Sequence, residues 1–235
     1  MRKIAFITFS FIFFIAVSAQ TKTTKPTVKP KTTVSKEKLV EIKTDSGMII
    51  VKLYDSTPLH RDNFIKLVKQ KFYDSLLFHR VIEGFMIQGG DPQSKDADST
   101  AMLGNGEAPG GDMIPAEFRE NLFHKKGALA MARTDNPEKA SSNCQFYIVQ
   151  GQTYTNAQLN EMECKMRQND PEFYFTDAER KIYNTIGGTP FLDQNYTVFG
   201  EVIKGLDVID KIAAAQVDSN DRPLKNIRMK MRMLN

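Results

Sequence analysis

The residues most able to do chemistry lie in one run of fourteen, residues 78–91 (FHRVIEGFMIQGGD). The run alternates apolar and polar residues as a strand does, yet it carries side chains that no core requires: Arg80, Phe85, Met86 and Gln88. Placed on one side of a curved sheet, these four would form an apolar floor beside a cation and an amide. Such a surface matches a proline ring with its polar peptide bond.

Each of these residues also has a purely structural interpretation. Arg80 on its own would be a surface arginine on an edge strand, paired with Glu83 or with another acid. Phe85 and Met86 would be core residues, and Gln88 would be a solvated polar position. Their combination in one run favours a binding and catalytic site instead.

Other chemistries lack the residues that they need. The three histidines are scattered without metal-ligand spacing. The glycine-rich stretch 104–111 has no lysine or serine placed to bind a phosphate. We therefore expect neither a metal nor a cofactor. Cys144 and Cys164 could pair in an oxidising compartment or remain free thiols.

Short strand-like segments separated by turns make up most of the chain after residue 38. After Thr57-Pro58, which offers an N-cap and a first-turn proline, Phe64, Leu67 and Val68 recur at helical spacing. Many short strands with two separated helices indicate a β-barrel with helical caps. Outside the run 78–91, the predicted strands are 39–44, 48–53, 127–131, 145–149, 197–200 and 227–233, and the second helix is 206–214.

The amino-terminal segment differs from the rest in charge and composition. Residues 1–36 carry seven of the 32 Lys and Arg side chains and no acid, which leaves 25 basic and 28 acidic side chains elsewhere. The folded part therefore lacks a basic footprint for nucleic acid. Residues 20–36 are mostly Thr, Lys and Pro, which predicts a solvated linker.

Residues 1–19 have the pattern of a secretory signal peptide. Arg2-Lys3 precede an apolar stretch at 4–17, and Val17-Ser18-Ala19 supplies the small residues of a cleavage site before Gln20. The stretch is short for a permanent span, although a retained membrane anchor is the alternative. We expect export to the periplasm and no stable membrane insertion.

The run 78–91 closely resembles the signature of the cyclophilins, which are peptidyl-prolyl cis-trans isomerases. A match of fourteen residues is far more specific than a lone glycine motif. The resemblance extends from about Leu39 to the end of the chain and is interrupted by one insertion at 151–188. The other matching segments are 63–64, 72–74, 114–118, 127–132, 145–148, 192–193 and 198–202.

The resemblance implies a mainly β fold over residues 37–235, with an eight-stranded antiparallel barrel capped by two helices and an inserted helical hairpin. The proline site would lie on the outer face of the barrel. In this family the arginine of the Phe-His-Arg run is the main catalytic residue, so the resemblance assigns that role to Arg80, and His79 is expected to pack rather than act as a base. The substrate-binding residues that it implies are Phe85, Met86, Gln88, Ala132, Arg133, Gln145, Tyr147, Phe191, Leu192 and Tyr196.

Three positions of this implied site depart from the family's pattern. Phe191 stands where a tryptophan is often found, Tyr196 where a histidine is common, and Tyr147 where phenylalanine is usual. Each keeps an aromatic ring, so we expect the apolar shape to persist, with the Tyr147 hydroxyl paired at the rim of the pocket. The missing indole N–H predicts weak binding of cyclosporin, a drug that many cyclophilins bind.

The inserted residues 151–188 separate two of the runs that would form the pocket. Leu159, Met162 and Met166 fall on one face of a helix, and Thr176 can cap a second helix. One interpretation is a solvated hairpin that packs on the barrel. The other is a hairpin that borders the proline groove and selects substrates through exposed Met and aromatic side chains.

These patterns together predict an exported, monomeric isomerase that acts on proline-containing peptides and on unfolded or folding proteins. Uncatalysed X–Pro isomerisation takes about tens to hundreds of seconds, which is slow enough to limit folding. One alternative is a proline-peptide-binding chaperone or assembly module with little turnover. Another is a structural envelope component held through its lysine-rich linker. The intact Arg80 favours the enzyme.

Overall fold

A computed structural model describes residues 37–234, which contain eight strands and four helices. The predicted signal peptide, 1–19, and the predicted linker, 20–36, lie outside the described residues. The strands are β1 (Lys38–Thr44), β2 (Gly47–Leu53), β3 (Phe78–Ile82), β4 (Met86–Gly89), β5 (Ala128–Met131), β6 (Phe146–Val149), β7 (Val198–Lys204) and β8 (Met229–Met233). The helices are α1 (Pro58–Lys69), α2 (Asn156–Met166), α3 (Asp177–Thr185) and α4 (Leu206–Ala213).

The strands form one curled antiparallel sheet in the order β3-β4-β6-β5-β7-β2-β1-β8. Its edge strands, β3 and β8, are joined by a short antiparallel bridge between Leu77 and Arg228 rather than by a full ladder. Beside that bridge, the Phe78 amide donates to the Ile227 carbonyl at 3.0 Å. The prediction of a mainly β, eight-stranded antiparallel fold with two capping helices and an inserted helical hairpin is confirmed.

The two faces of the sheet bury different clusters. On the inner face, the Phe64 ring of α1 packs against Tyr73, Phe146 and Phe199 at centroid distances of 5.1, 5.6 and 5.3 Å. Ile209 of α4 is fully buried in the same core. The outer face carries a separate, smaller cluster made of Met86, Ala128, Ala130, Tyr147, Val149 and Val198.

Helix α1 is capped differently from the sequence-based expectation. Thr57 occupies the N-cap position, but its side chain makes no capping hydrogen bond. The Glu117 carboxylate instead accepts from the backbone amides of Leu59 and His60 at 3.2 and 3.0 Å. A carboxylate at this end satisfies amides that lack an intrahelical partner. Because Glu117 is 58 positions from Leu59 in the chain, no local pattern could reveal this cap.

The inserted residues form the predicted helical hairpin. Helices α2 and α3 each begin with a capping box, which pairs Thr155 with Gln158 and Thr176 with Glu179. The apolar sides of the hairpin meet in a cluster that is separate from the barrel core. This cluster contains Tyr154, Leu159, Phe173, Phe175 and Tyr183, with Phe123, Met162 and Met166 packed against it.

Across residues 37–234, no helix has the length and apolar character needed to cross a membrane. The same residues contain no group of three or more His, Cys, Asp or Glu side chains that could hold a metal ion. Both cysteines are free thiols, with Cys144 buried and Cys164 exposed, so the alternative without a disulfide is the one observed.

Candidate functional site

The central residues of the expected site lie in one row across the outer face of the sheet. Arg80 of β3 pairs in register with Gln88 of β4, and Gln88 pairs with Tyr147 of β6. Tyr147 in turn pairs with Ala130 of β5. Side chains of directly opposed residues lie on the same face of a sheet. Strand pairing therefore brings together residues that are far apart in the sequence.

A cavity of about 170 Å³ opens on this row. Met86 precedes Gln88 by two positions on β4, so both side chains point to the outer face. Leu192 reaches the cavity from the 3₁₀ turn Pro190–Leu192. Nine of the eleven predicted site residues line this one cavity: Arg80, Phe85, Met86, Gln88, Ala132, Arg133, Tyr147, Leu192 and Tyr196.

The two other predicted residues, Gln145 and Phe191, flank the cavity without lining it. The buried Gln145 side chain donates from Nε2 to two carbonyls of the loop 104–106, at 2.8 and 3.0 Å. Its Oε1 accepts from Gln88 Nε2 at 3.2 Å, so Gln145 orients the Gln88 amide. Phe191 is 44% exposed, and its ring lies 5.6 Å from that of Phe85, which places it at the rim.

Arg80 stands at the edge of the cavity with little to hold its guanidinium. Arg80 lies on an edge strand and is paired with an acid, as expected for a purely structural arginine. The acid is Asp221 rather than Glu83. Arg80 Nε lies 3.4 Å from Asp221 Oδ2, and the two side chains are 43% and 41% exposed. Its terminal nitrogens make no hydrogen bond with any other residue in the range 37–234. Since such an exposed pair contributes little, the guanidinium can turn toward a ligand.

The second arginine of the cavity, Arg133, is held far more firmly. Its guanidinium lies 4.9 Å from the centroid of the Tyr196 ring, and its Nε donates to the Asn195 carbonyl at 2.9 Å. The Tyr196 ring meets the Tyr147 ring edge-on, with 5.9 Å between centroids. The contact of Arg133 with the Tyr196 ring, the edge-on contact of the two tyrosine rings and the backbone hydrogen bond thus make this side of the cavity a fixed wall.

The Tyr147 hydroxyl does not lie at the rim, contrary to the expectation from the sequence. It lies 2.9 Å from Nε2 of the buried His124, whose Nδ1 lies 2.7 Å from the Asp193 carboxylate. Burial raises the pKa of Tyr147 well above its ordinary value, so the hydroxyl keeps its proton. The polar end of Tyr147 therefore points into the protein, and its ring faces the cavity.

A larger cavity of about 330 Å³ adjoins the first and shares Arg80 and Gln88 with it. His79 contributes to its lining, and neither nitrogen of this buried ring has a hydrogen-bond partner within residues 37–234. Desolvation lowers the pKa of His79 to about 4, so the ring is neutral at pH 7. A neutral, buried ring fits a packing role. The smaller cavity is the one walled by Phe85 and Met86, which is the apolar surface that a proline ring requires.

The hairpin formed by residues 151–188 supports the cavity from outside without lining it. Helix α2 packs against the 3₁₀ turn Pro190–Leu192, which carries the Leu192 wall. Met162 and Met166 pack into the hairpin's own cluster. Met162 and Met166 are thus partly buried, whereas Tyr174 of the hairpin is 62% exposed. Substrate selection by exposed side chains of the hairpin stays a prediction.

Two residues that contact the site were not predicted from the sequence, His124 and Asp221. Asp221 lies in a loop after α4, and no local spacing connects it with Arg80. His124 could have been found, because a buried tyrosine hydroxyl at position 147 needs a polar partner. His124 was a candidate for that partner, because it lies just before β5, and β5 pairs with the strand that contains Tyr147.

Comparison with known sequences gives a consistent result. The family profile described as cyclophilin type peptidyl-prolyl cis-trans isomerase/CLD matches residues 39–232. A relative from Staphylococcus saprophyticus, assigned as a peptidyl-prolyl cis-trans isomerase, is 36% identical over 185 residues, which cover 78% of this chain and 85% of the relative. A relative of the same assignment from Staphylococcus haemolyticus is 34% identical, with 80% and 86% covered.

Solved structures agree with this fold. A crystal structure of a cyclophilin type peptidyl-prolyl cis-trans isomerase from Cryptosporidium parvum is similar with a TM-score of 0.61 and 23% identity, covering 85% of this chain and 99% of that chain. A second crystal structure of that protein, in the presence of the dipeptide Ala-Pro, gives a TM-score of 0.60 at 23% identity, covering 84% and 99%. At this identity the likeness concerns the fold alone.

Proposed function

The chain belongs to the cyclophilin-type peptidyl-prolyl cis-trans isomerases, and on that premise we propose that Arg80 accelerates X–Pro rotation by stabilising the twisted amide. The observation that carries this proposal is the shared cavity, in which the loosely held Arg80 stands beside Phe85, Met86 and Leu192. An apolar floor next to a loosely paired cation is the surface that a twisting prolyl bond requires.

The reaction needs an electrostatic partner rather than a nucleophile. Rotation about X–Pro crosses a barrier of roughly 18–20 kcal/mol because the amide is partly a double bond. In the twisted state that resonance is lost, and the pyramidal prolyl nitrogen gains a lone pair. A guanidinium within hydrogen-bonding reach of this nitrogen stabilises the twisted state more than either planar state, which is what catalysis demands. Arg80 is suited to this because a guanidinium is planar and always charged.

The other cavity residues would hold the substrate while one bond turns. The Phe85 ring, the Met86 thioether and the Tyr147 ring provide apolar contact for the proline ring. The Gln88 amide, held by Gln145, can bond the peptide backbone. Fixing both sides of the bond leaves its rotation as the remaining freedom. The proposed substrates are therefore proline-containing peptides and unfolded segments, in line with the Ala-Pro dipeptide of the Cryptosporidium structure.

The test is the rate of cis-trans exchange of an X–Pro tetrapeptide, measured by NMR with wild type and with Arg80→Ala. We expect kcat/KM to fall about 100- to 1,000-fold, by analogy with the loss of one oxyanion-hole donor. The melting temperature should stay within a few degrees, because Arg80 is half exposed and weakly paired.

Arg232→Ala is the matched control, because Arg232 is also an exposed arginine on an edge strand beside an acid. Its turnover should equal that of wild type. Near-normal turnover of Arg80→Ala would remove Arg80 from the mechanism. A wild-type chain that binds the peptide but leaves its exchange rate unchanged would establish the chaperone alternative.

We also propose that residues 1–19 direct export and that the exported chain assists proline-limited folding outside the cytoplasm. The support is the sequence pattern of Arg2-Lys3, an apolar stretch, and Val17-Ser18-Ala19. Amino-terminal sequencing of the protein from a periplasmic fraction should begin at Gln20. An Ala19→Arg variant should retain its leader, since a bulky charge is placed at the cleavage site. A wild-type chain that keeps Met1 and stays in the cytoplasm would contradict the proposal.

A further inference from the structure

A buried chain of hydrogen bonds connects helix α3 of the hairpin with the base of the cavity. The Tyr183 hydroxyl donates to Asp193 Oδ2. Asp193 Oδ1 accepts from His124 twice, from ring Nδ1 at 2.7 Å and from the backbone amide at 2.8 Å. His124 Nε2 lies 2.9 Å from the Tyr147 hydroxyl. All four residues are buried, with exposures of 0% for Tyr183 and His124, 3% for Asp193 and 4% for Tyr147.

The direction of each bond follows from the chemistry of the partners. A carboxylate only accepts, so the Asp193 oxygens fix the proton of the His124 ring on Nδ1. When the ring carries its proton on Nδ1 alone, Nε2 accepts from the Tyr147 hydroxyl. Burial raises the pKa of Tyr147 and of Tyr183 well above the ordinary value, so both hydroxyls remain donors. In this arrangement the donors are the two tyrosine hydroxyls and His124 Nδ1, and loss of one of them leaves a buried acceptor unpaired.

The backbone around this chain of bonds allows little adjustment. The Thr189 amide donates to the His124 carbonyl at 2.8 Å, and the Lys126 amide donates to the Gly187 carbonyl at 2.9 Å. A Cβ on Gly188 would lie 2.1 Å from the His124 carbonyl oxygen and 2.7 Å from the Tyr183 ring. The end of the hairpin therefore lies so close to His124 that only glycine fits at position 188.

We propose that Tyr183 is a positioning residue for the isomerase, acting through Asp193 and His124 to fix Tyr147 at the base of the cavity. The hairpin then affects catalysis through these hydrogen bonds, although no hairpin residue lines the cavity. The proposal deepens the proposed function and rests on it, because it takes the Tyr147 ring as part of the surface that holds the proline. It also explains why a tyrosine rather than a phenylalanine stands at position 147, since the Tyr147 hydroxyl connects the cavity with the hairpin.

The test is a double-mutant cycle on tetrapeptide turnover with Tyr183→Phe and Tyr147→Phe. Each change removes one hydroxyl and keeps the ring. Tyr183→Phe should lower kcat/KM about three- to tenfold, the net contribution of one buried hydrogen bond. In the Tyr147→Phe background the same change should cost less than about twofold, because the connection to the cavity is already broken.

Tyr154→Phe is the matched control. Tyr154 is a buried tyrosine of the same hairpin cluster, but its hydroxyl accepts from Gln152 at 3.4 Å and does not contact Asp193. Its turnover should equal that of wild type. The ring nitrogen signals of His124 provide an independent readout, and they should shift in Tyr183→Phe and in Tyr147→Phe but not in Tyr154→Phe. Melting temperatures establish that all variants are folded at the assay temperature.

Three results would overturn the proposal. Tyr183→Phe could leave turnover unchanged, its effect could be equal in both Tyr147 backgrounds, or Tyr154→Phe could reduce turnover as much. The proposed function fails separately, through normal turnover in Arg80→Ala or through the absence of turnover in wild type. An Arg80→Ala variant without activity, together with an additive cycle, would reject only the role of Tyr183.

Discussion

The two edge strands of the sheet each carry an arginine beside an acid, and the two pairs differ in almost every physical respect. On β8, Arg232 donates from Nε and Nη2 to the two carboxylate oxygens of Glu41 at 2.7 and 2.9 Å. Glu41 lies directly opposite on β1, so the pair is part of the strand register. On β3, Arg80 has a single contact of 3.4 Å with Asp221, which lies on a loop.

The comparison connects the catalytic role proposed for Arg80 with the surroundings of its guanidinium rather than with its position on an edge strand. The Glu41 carboxylate occupies both donor sites of the Arg232 fork, and hydrogen bonding to Arg232 lowers the pKa of Glu41. Arg80 keeps its terminal donors available and borders the apolar cavity. A firmly paired guanidinium is a structural cross-strand contact, whereas a loosely paired one beside a cavity can follow a developing lone pair.

The largest change that sharpens this comparison, after removal of the arginine, is Arg80→Lys. Lysine keeps the positive charge but replaces the planar fork with a compact, strongly hydrated ammonium. We expect kcat/KM for an X–Pro tetrapeptide to fall about tenfold or more, which is less than in Arg80→Ala. Full activity of Arg80→Lys would show that net charge suffices, and the contrast with Arg232 would then concern position alone.

Asp221→Asn should have a smaller effect. The contact between Arg80 and Asp221 is long and exposed, so its loss should change turnover by no more than about twofold. The same tetrapeptide assay measures it, with Glu41→Gln as the control that disrupts the other pair. A loss as large as that of Arg80→Lys would mean that Asp221 orients the guanidinium.

Arg232→Ala should leave turnover unchanged and alter only the acid dependence of stability. The folded-state pKa of Glu41 lies below its ordinary value of 4.5 because of the hydrogen bond from Arg232. Its contribution to stability is thus present above about pH 4.5 and is lost as the pH falls through the folded-state value. Wild type should therefore lose more melting temperature than Arg232→Ala between pH 6 and pH 3. Parallel curves would show that the pair contributes nothing measurable.

Much of the site could be predicted because its residues follow one another in strands. Phe85, Met86 and Gln88 lie at or beside the start of β4, so the alternation of the sequence already assigns Met86 and Gln88 to one face. The same alternation on β6 separates Tyr147 on the outer face from Phe146 in the core. The hairpin could be predicted for the same reason, because capping residues and helical spacing are local signals.

The remainder depends on contacts between distant segments, which no local pattern encodes. The Glu117 cap of α1, the Asp221 partner of Arg80 and the His124 partner of Tyr147 each join segments from different parts of the chain. Gln145 was expected in the substrate site by resemblance, yet its amide is engaged by the loop 104–106. Hydrogen bonds between such distant polar side chains depend on the tertiary structure, so local sequence patterns do not reveal them.

The most direct test of the central claim separates the affinity of Arg80→Ala for an X–Pro peptide from the exchange rate of the bound peptide. If Arg80 stabilises the twisted state, the Kd should change less than about threefold, while the exchange rate falls about 100-fold or more. NMR titration gives the Kd, and exchange spectroscopy on the same samples gives the rate. An exchange rate near that of wild type, with the loss confined to Kd, would make Arg80 a binding residue and contradict the account.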